Sequence, residues 1–282
     1  MQTTKLTVTL IATGVLAAAA PIAWAQDGAK TWAGPYVGVA AGMTNIADDH
    51  ETIEFDTNLD GEYGDMVNTF AGANAFSPGF CDGGANGRTP GEGCAKQREQ
   101  AGIGLRGGYD WQFGNWVFGV VGEVSDAKFQ DSVTAFSTTP ANYVFTRDIE
   151  NINALRAKAG HAMGEWQVYV TAGYAQADIE RTFRTSNALN SFTATDGDDS
   201  DGYQVGFGIE QRMSEHWIGG IEYLRTSLKD EPAVVVHAGP SANTFNSNPF
   251  LIVNPAGTDM RRTSDKIEID TLRISLRYQF GG

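Results

Sequence analysis

The groups able to do chemistry in this chain are few. Four histidines, His50, His161, His216 and His237, could act as general bases. Such a base needs an acid to orient its ring and a nucleophile on its far side. None of the four comes with an obvious serine and acid partner in the sequence. Acidic residues cluster twice. Asp48, Asp49, Glu51, Glu54, Asp56, Asp60, Glu62 and Asp65 crowd one stretch, and DGDDSDG spans Asp196 to Gly202. Aspartates beside glycines can hold Ca2+ through oxygen, but the second cluster lacks the glycine at the sixth position and the glutamate at the twelfth of an EF-hand loop. Solvated acidic loops without metal are the expectation. No phosphate-cradling loop, zinc signature or dinucleotide fingerprint stands in a strand-to-helix context. Hence neither a catalytic residue nor a cofactor is expected.

Cys81 and Cys94 bracket one glycine-rich segment, CDGGANGRTPGEGC. No histidine accompanies the pair, so a metal site lacks ligands. A local disulfide is expected instead, provided that the chain reaches an oxidising compartment.

A more orderly set of charges recurs within alternating segments: Arg106, Arg156, Lys158, Arg273 and Arg277, with Asp110, Glu123, Glu210 and Glu222. Eight segments of period two must position them. They run over about Trp32–Met43, Gln100–Trp111, Trp116–Ala127, Ile149–Ala162, Trp166–Asp178, Gly202–Met213, Trp217–Leu228 and Asp265–Phe280. The gaps between them alternate between very short and very long, as antiparallel up-and-down pairing requires. The first long gap, about Thr44–Glu99, has room for a further hairpin, so ten strands stay open beside eight.

In the last segment Leu272, Ile274, Leu276, Tyr278 and Phe280 share one face, while Arg273, Ser275, Arg277 and Gln279 share the other. A soluble barrel buries the apolar face. A membrane barrel turns that face to lipid and keeps the polar one inside. The alternation is common to both, and tryptophan placement separates them. Trp32, Trp111, Trp116, Trp166 and Trp217 all lie at the short-turn ends of their segments, where Tyr278 and Phe280 also finish the last one. Rings gathered at one rim suit a bilayer interface. The outward band from Leu272 to Phe280 covers about nine residues, enough for a tilted strand to cross the hydrocarbon.

The expected fold is therefore all-β: an eight-stranded, up-and-down antiparallel transmembrane β-barrel with short periplasmic turns and long extracellular loops. By parity the nine charges above point inward. An eight-stranded interior is just wide enough for side chains to fill, so they are expected to pair as a network, with Arg212 near the periplasmic rim. Inward glycines leave room for the long arginines. An ion path along the same charges is the alternative.

The chain's start agrees with export. Lys5, the apolar stretch Leu6 to Ala20, Pro21 and Ala23-Trp24-Ala25 read as a signal peptide over residues 1–25, with one barrel domain over 26–282. Without Lys5 the mature chain holds 19 basic and 34 acidic residues, a net charge of −15. That balance excludes nucleic acid as a partner, because no basic surface is left for phosphates.

Several stretches together resemble the small outer-membrane β-barrel domain family, similar to the OmpA transmembrane domain and to opacity-type surface proteins of the porin family. They are WAGPYVGVAAG, GGYDWQFGNWVFGVVGEVS, LRAKAGHAMGEWQVYVTAGYAQAD, GYQVGFGIEQRMSEHWIGGIEYLRTS and LRISLRYQF. The resemblance implies residence in the cell outer membrane, lipid contact, and insertion by the outer-membrane assembly machinery, which reads a terminal strand ending in an aromatic. Phe280 matches, and Gly281-Gly282 extend past it. Barrels that modify lipid A show that an enzyme is compatible with this architecture. The leading expectation is a non-enzymatic structural and surface protein that supports envelope integrity. Its acidic loops would serve adhesion or act as an antigen toward a host surface or other envelope proteins. A narrow diffusion channel is second. In the last loop, about Lys229–Ser264, the runs AVVV (233–236) and PFLIV (249–253) are expected to pack on neighbouring loops rather than form an exposed patch.

Overall fold

The computed structural model describes residues 31–280 except 47–50, 96–99, 196–199, 230–233 and 246. The signal-peptide boundary, His50 and most of the second aspartate cluster lie outside the described residues. Eight long strands form the barrel: β1 (Gly34–Ile46), β2 (Gln100–Phe113), β3 (Trp116–Ser137), β4 (Ala141–Met163), β5 (Trp166–Thr185), β6 (Ser200–Arg212), β7 (Trp217–Lys229) and β8 (Lys266–Gln279). Each pairs antiparallel with the next. β8 closes the ring on β1, from Tyr36 opposite Gln279 to Ile46 opposite Ile269. Closure leaves the ring without an open edge. Two of the short turns place glycine where φ is positive, Gly114 at 62° and Gly164 at 67°, a conformation that costs glycine no steric penalty.

The ring holds eight strands, so the ten-stranded alternative is excluded. The first long loop does form strands, but outside the ring. Residues Gly79–Asp82 pair with the outer part of β3. Residues Ile53–Asp56 join a separate four-stranded sheet with Thr258–Arg262, Val236–Gly239 and Ser191–Ala194.

β3, β4 and β5 run 22, 23 and 20 residues, well past their expected ends. The polar-apolar alternation fades there because both faces become covered: Val133, Thr134, Ala135 and Phe136 are all buried. These extensions and the four-stranded sheet enclose an extracellular cap with its own apolar core, including Phe55, Phe76, Tyr143, Phe145, Val236, Phe250 and Met260. Its rings interlock, with centroids 4.4 Å apart for Phe55–Phe76, 5.2 Å for Phe76–Tyr143 and 5.7 Å for Tyr143–Phe250. Each buried phenylalanine contributes about 1.5–3 kcal/mol. Val236 and Phe250 thus pack inward, as expected for the last loop, whereas Ile252 and Val253 stay exposed. Cys81 and Cys94 form the disulfide and are otherwise bridged by the short pairing of Gly84–Ala85 with Cys94–Ala95.

The passage from barrel to cap is marked by a bulge at Glu150. On β4 the inward residues are even-numbered from Ala162 to Ile152 and odd-numbered from Ile149 to Ala141. The register shifts between Asp126 and Phe129 on β3 and between Ile149 and Asn151 on β4. One extra residue re-aims every side chain beyond it.

Candidate functional site

The candidate site is the filled lumen and the cap above it. At the periplasmic mouth the chain ahead of β1 folds across the opening. Trp32 is 1% exposed and packs with Val117, Ala162 and Ile218. Its backbone N–H donates to Gln112 Oε1 at 2.7 Å, its carbonyl accepts from Gln279 Nε2 at 2.6 Å, and the Arg212 guanidinium stacks 4.9 Å from its ring. This corrects the sequence expectation that Trp32 faces lipid: β1 begins only at Gly34, so Trp32 is a stopper rather than part of the wall. Trp116, Trp166, Trp217 and Phe280 are exposed, and Trp111 and Tyr278 half-buried. Trp217 and Tyr278 touch with centroids 5.3 Å apart, as do Tyr109 and Trp111 at 4.8 Å.

Above Trp32 comes a tier of four charges. Lys158 Nζ lies 2.8 Å from Asp110 and 3.3 Å from Glu210, while Arg277 reaches the same two carboxylates at 2.9 and 2.8 Å. Tyr36 and Tyr169 flank it, the first 4.3 Å below the Arg277 guanidinium. The next tier holds Arg106, Glu123, Arg156, Glu222 and Arg273. Arg156 donates to Glu123 at 2.8 Å, Arg106 to Glu222 at 3.4 Å, and Arg273 Nε to Glu222 at 2.8 Å. Arg273 also engages Glu123 through both terminal nitrogens, and Tyr169 Oη donates to Glu222 at 2.9 Å. All nine sequence-predicted charges are thus buried in two connected tiers. Glycine makes the room. Gly42 faces Arg273 and Gly38 faces Arg277 across β1–β8, and a Cβ at either would lie 2.4 and 2.8 Å from the arginine Cβ.

Higher still, Thr44, Ser125, Gln204, Thr226 and Thr271 surround Leu224 in a neutral layer, with Gln204 donating to Thr226 at 2.7 Å. Then the interior turns apolar: Phe129, Ile149, Ile152, Ile179, Leu228, Ile267 and Ile269 cluster across it. A third ionic group follows, made by Glu51, Asp131, Arg147 and Arg262. Arg147 donates to Glu51 at 3.0 Å and Arg262 to Asp131 at 2.6 Å. The sequence alone puts Glu51 among solvated acids and gives neither arginine a role. The available signal was an arginine on the buried face of a run otherwise holding Tyr143, Phe145 and Ile149.

On the outside the pattern is reversed. Val37, Leu105, Leu155, Val170, Phe207 and Ile274 are exposed around the ring. A protein with ionised arginines inside and bare aliphatic side chains outside is built for lipid. The chain belongs to the outer membrane protein beta-barrel domain family, whose model matches residues 8–280. It is a cell outer-membrane protein. No helix among the described residues is long and apolar enough to cross a membrane, and crossing is by strands.

No curated protein matches this family member. Among solved structures it is similar to the outer membrane protein OprG from Pseudomonas aeruginosa, with 12% identity, 88% of this chain and 97% of that chain covered, and a TM-score of 0.48. It is also similar to the outer membrane protease OmpT from Escherichia coli (9%, 88% and 97%, 0.39). A third is Ail, the attachment invasion locus protein of Yersinia pestis, in complex with the heparin analogue sucrose octasulfate (10%, 88% and 99%, 0.34). At such values none of them bears on role.

The barrel also carries an outer aromatic mark that the sequence reading missed. Tyr174 and Tyr203 are directly paired across β5–β6, both exposed, as rings at a headgroup boundary are. The signal was their place on the outward face, in line with Val168 and Val170 on β5 and with Val205, Phe207 and Ile209 on β6.

Of the described histidines, His161 packs against Trp116, His216 Nδ1 lies 3.2 Å from the Gln279 carbonyl, and His237 lies 2.6 Å from Asp259. In the first acidic stretch Asp56, Asn58, Asp60 and Gly61 repeat the first half of an EF-hand loop, another pattern missed from sequence. The buried Asp56 carboxylate accepts from the backbone N–H groups of Leu59 at 2.7 Å and Gly61 at 2.8 Å. The twelfth position is Val67, and no group of three metal-binding side chains converges among the described residues. Asp65 closes the same loop: the Thr57 backbone and hydroxyl donate to it at 2.9 and 2.8 Å and hold its carboxyl below the usual range.

Proposed function

We propose that this outer-membrane barrel is a sealed, non-enzymatic structural protein whose rigid extracellular cap is its recognition surface, serving adhesion to a host surface or contact with other envelope proteins. The observation that carries this reading is the layered lumen. Two ionic tiers, an apolar layer and a third ionic group stand one above another over the Trp32 stopper. A diffusion channel needs a continuous water column, and an eight-stranded interior so filled has none to offer.

Support for the cap as the working surface is its own packed core together with bare apolar side chains, Phe70 at 82% and Val253 at 54% exposure. Exposed apolar groups on a soluble face favour contact with partners. Lipid contact by the outward band and insertion through the assembly machinery, using the strand that ends at Phe280, belong to the same proposal.

Planar-bilayer recording of the purified protein tests the first half: no discrete conductance steps are expected, and regular steps would overturn the sealed reading. For the second half, cells displaying a variant shortened across residues 66–74 should lose adherence while retaining the heat-modifiable band. Unaltered adherence would refute the cap assignment.

A further inference from the structure

His237 stands on the four-stranded cap sheet with an oxygen acceptor at each ring nitrogen. Nδ1 lies 2.6 Å from Asp259 Oδ1, and Nε2 lies 3.1 Å from the Ala256 carbonyl. A neutral imidazole has one N–H and one lone pair, so it can satisfy only one of these oxygens while its other nitrogen faces the second oxygen lone pair to lone pair. An imidazolium donates to both. We propose that His237 is a proton-operated clamp, closing the turn at residues 252–257 onto the cap sheet when protonated and freeing it when neutral.

The surroundings make the clamp specific. In the sheet register His237 lies opposite Asp259 on one side and Thr193 on the other, and Asp259 in turn lies opposite Asp56. The strand Ser191–Ala194 and the turn itself contribute no titratable group. From Thr258–Arg262 come Asp259 and Arg261, from Ile53–Asp56 come Glu54 and Asp56, and Tyr63 follows. Arg261 is engaged with Glu54 at 2.6 Å and stacks 3.8 Å from the Tyr63 ring. Asp56 is closed upon backbone N–H groups. Among the described residues, His237 is therefore the side chain that pairs with Asp259.

The turn is shaped to meet the ring. Gly257 has φ 145°, and a Cβ there would lie 2.6 Å from His237 Cε1 and 2.7 Å from Nε2, so only glycine lets the backbone approach. Asn254 ties the turn to the neighbouring aspartate loop through a 3.1 Å bond to the Asn58 carbonyl. Between these anchors lie the exposed Ile252 and Val253. The protonation state of one ring thereby governs how firmly an apolar pair is presented outside the cell. The clamp holds whether or not the cap binds a partner, because its test reads backbone protection and not binding.

Hydrogen exchange of the Ala256 and Gly257 amides, followed in detergent micelles from pH 5.5 to 8 and corrected for intrinsic rates, gives that test. Protection should fall by roughly fivefold or more across this range, the worth of one charge-assisted bond. His237→Gln should show the lower protection at every pH. A flat wild-type profile overturns the clamp, as does a fall that persists in His237→Gln. The heat-modifiable band verifies that each variant keeps its barrel, and the wild-type profile decides the matter alone if a variant does not fold.

Discussion

Arg273 on β8 grips Glu123 on β3 with both terminal guanidinium nitrogens, across a lumen in which these two strands are not neighbours. The planar fork matches a carboxylate as no other side chain does. The contact therefore fixes the distance between opposite walls, and Glu222 accepts from Arg273 Nε at 2.8 Å as well.

Arg273→Ala should leave the Glu123 and Glu222 carboxylates short of their partner. Removing one member of a buried ion pair costs on the order of 3–5 kcal/mol. Urea unfolding in micelles, scored by the heat-modifiable band, should show that loss. Arg273→Lys should recover only part of it, since an ammonium cannot bind both oxygens in the same geometry. A wild-type midpoint for Arg273→Ala would mean that water replaces the guanidinium at no cost.

Trp32→Ala removes the stopper. Deleting a buried tryptophan side chain costs about 3–5 kcal/mol, and the Arg212 guanidinium loses the ring on which it stacks. The ring of eight strands should still close. Unfolding curves of the variant should shift to lower urea with an unchanged folded spectrum, and an unmoved curve would return Trp32 to the lipid interface.

Phe76→Ala should separate the cap from the barrel. Phe76 meets Phe55, Tyr143 and Phe250 within the cap and has no part in the lumen tiers. Protease added to intact cells should cut the first loop at least tenfold faster, a change that about 1.4 kcal/mol suffices to produce and that the expected 3–5 kcal/mol exceeds. The heat-modifiable shift should stay as in the wild type.

Acid should open the loop closed by Asp65. Its carboxyl is held below the usual range by the Thr57 backbone and hydroxyl, so the contribution is fully present above the unfolded value of about 3.9. It is lost as pH falls through the lower folded value. Protection of the Thr57 amide should therefore be level above about pH 4 and decline below it, while Asp65→Asn should show no such decline.

The strands and their facing were legible because a wall with lipid on one side and packed charge on the other writes period two into the sequence. Arg106, Arg156, Arg273 and Arg277 could be placed inside by parity alone. Parity fails where its cause ends. Past the membrane both faces of β3 are covered, so Val133 to Phe136 carry no alternation, and the cap strands are held by long-range pairing that short windows do not contain. Trp32 was misplaced for a related reason: its type suits an interface, but its position depends on where β1 begins. Arg147, Arg262 and Glu51 come from three distant segments, and only folding brings them together.

The bulge at Glu150 has a bearing on anyone who would re-engineer this protein. Loops grafted onto a barrel are ordinarily matched by length and chemistry, yet here the odd or even count on the cap side of the bulge also has to be kept. Excising the single codon for Glu150 would leave Ile149, Arg147, Phe145 and Tyr143 facing inward, because alternation then runs unbroken from Ile152. Excising the codon for Asp148 keeps the gene in frame just as well, but would rotate Arg147, Phe145 and Tyr143 to the outer surface and bring Thr146 and Val144 inward. What is transmitted beyond the bulge is a count, independent of the glutamate that supplies the extra residue.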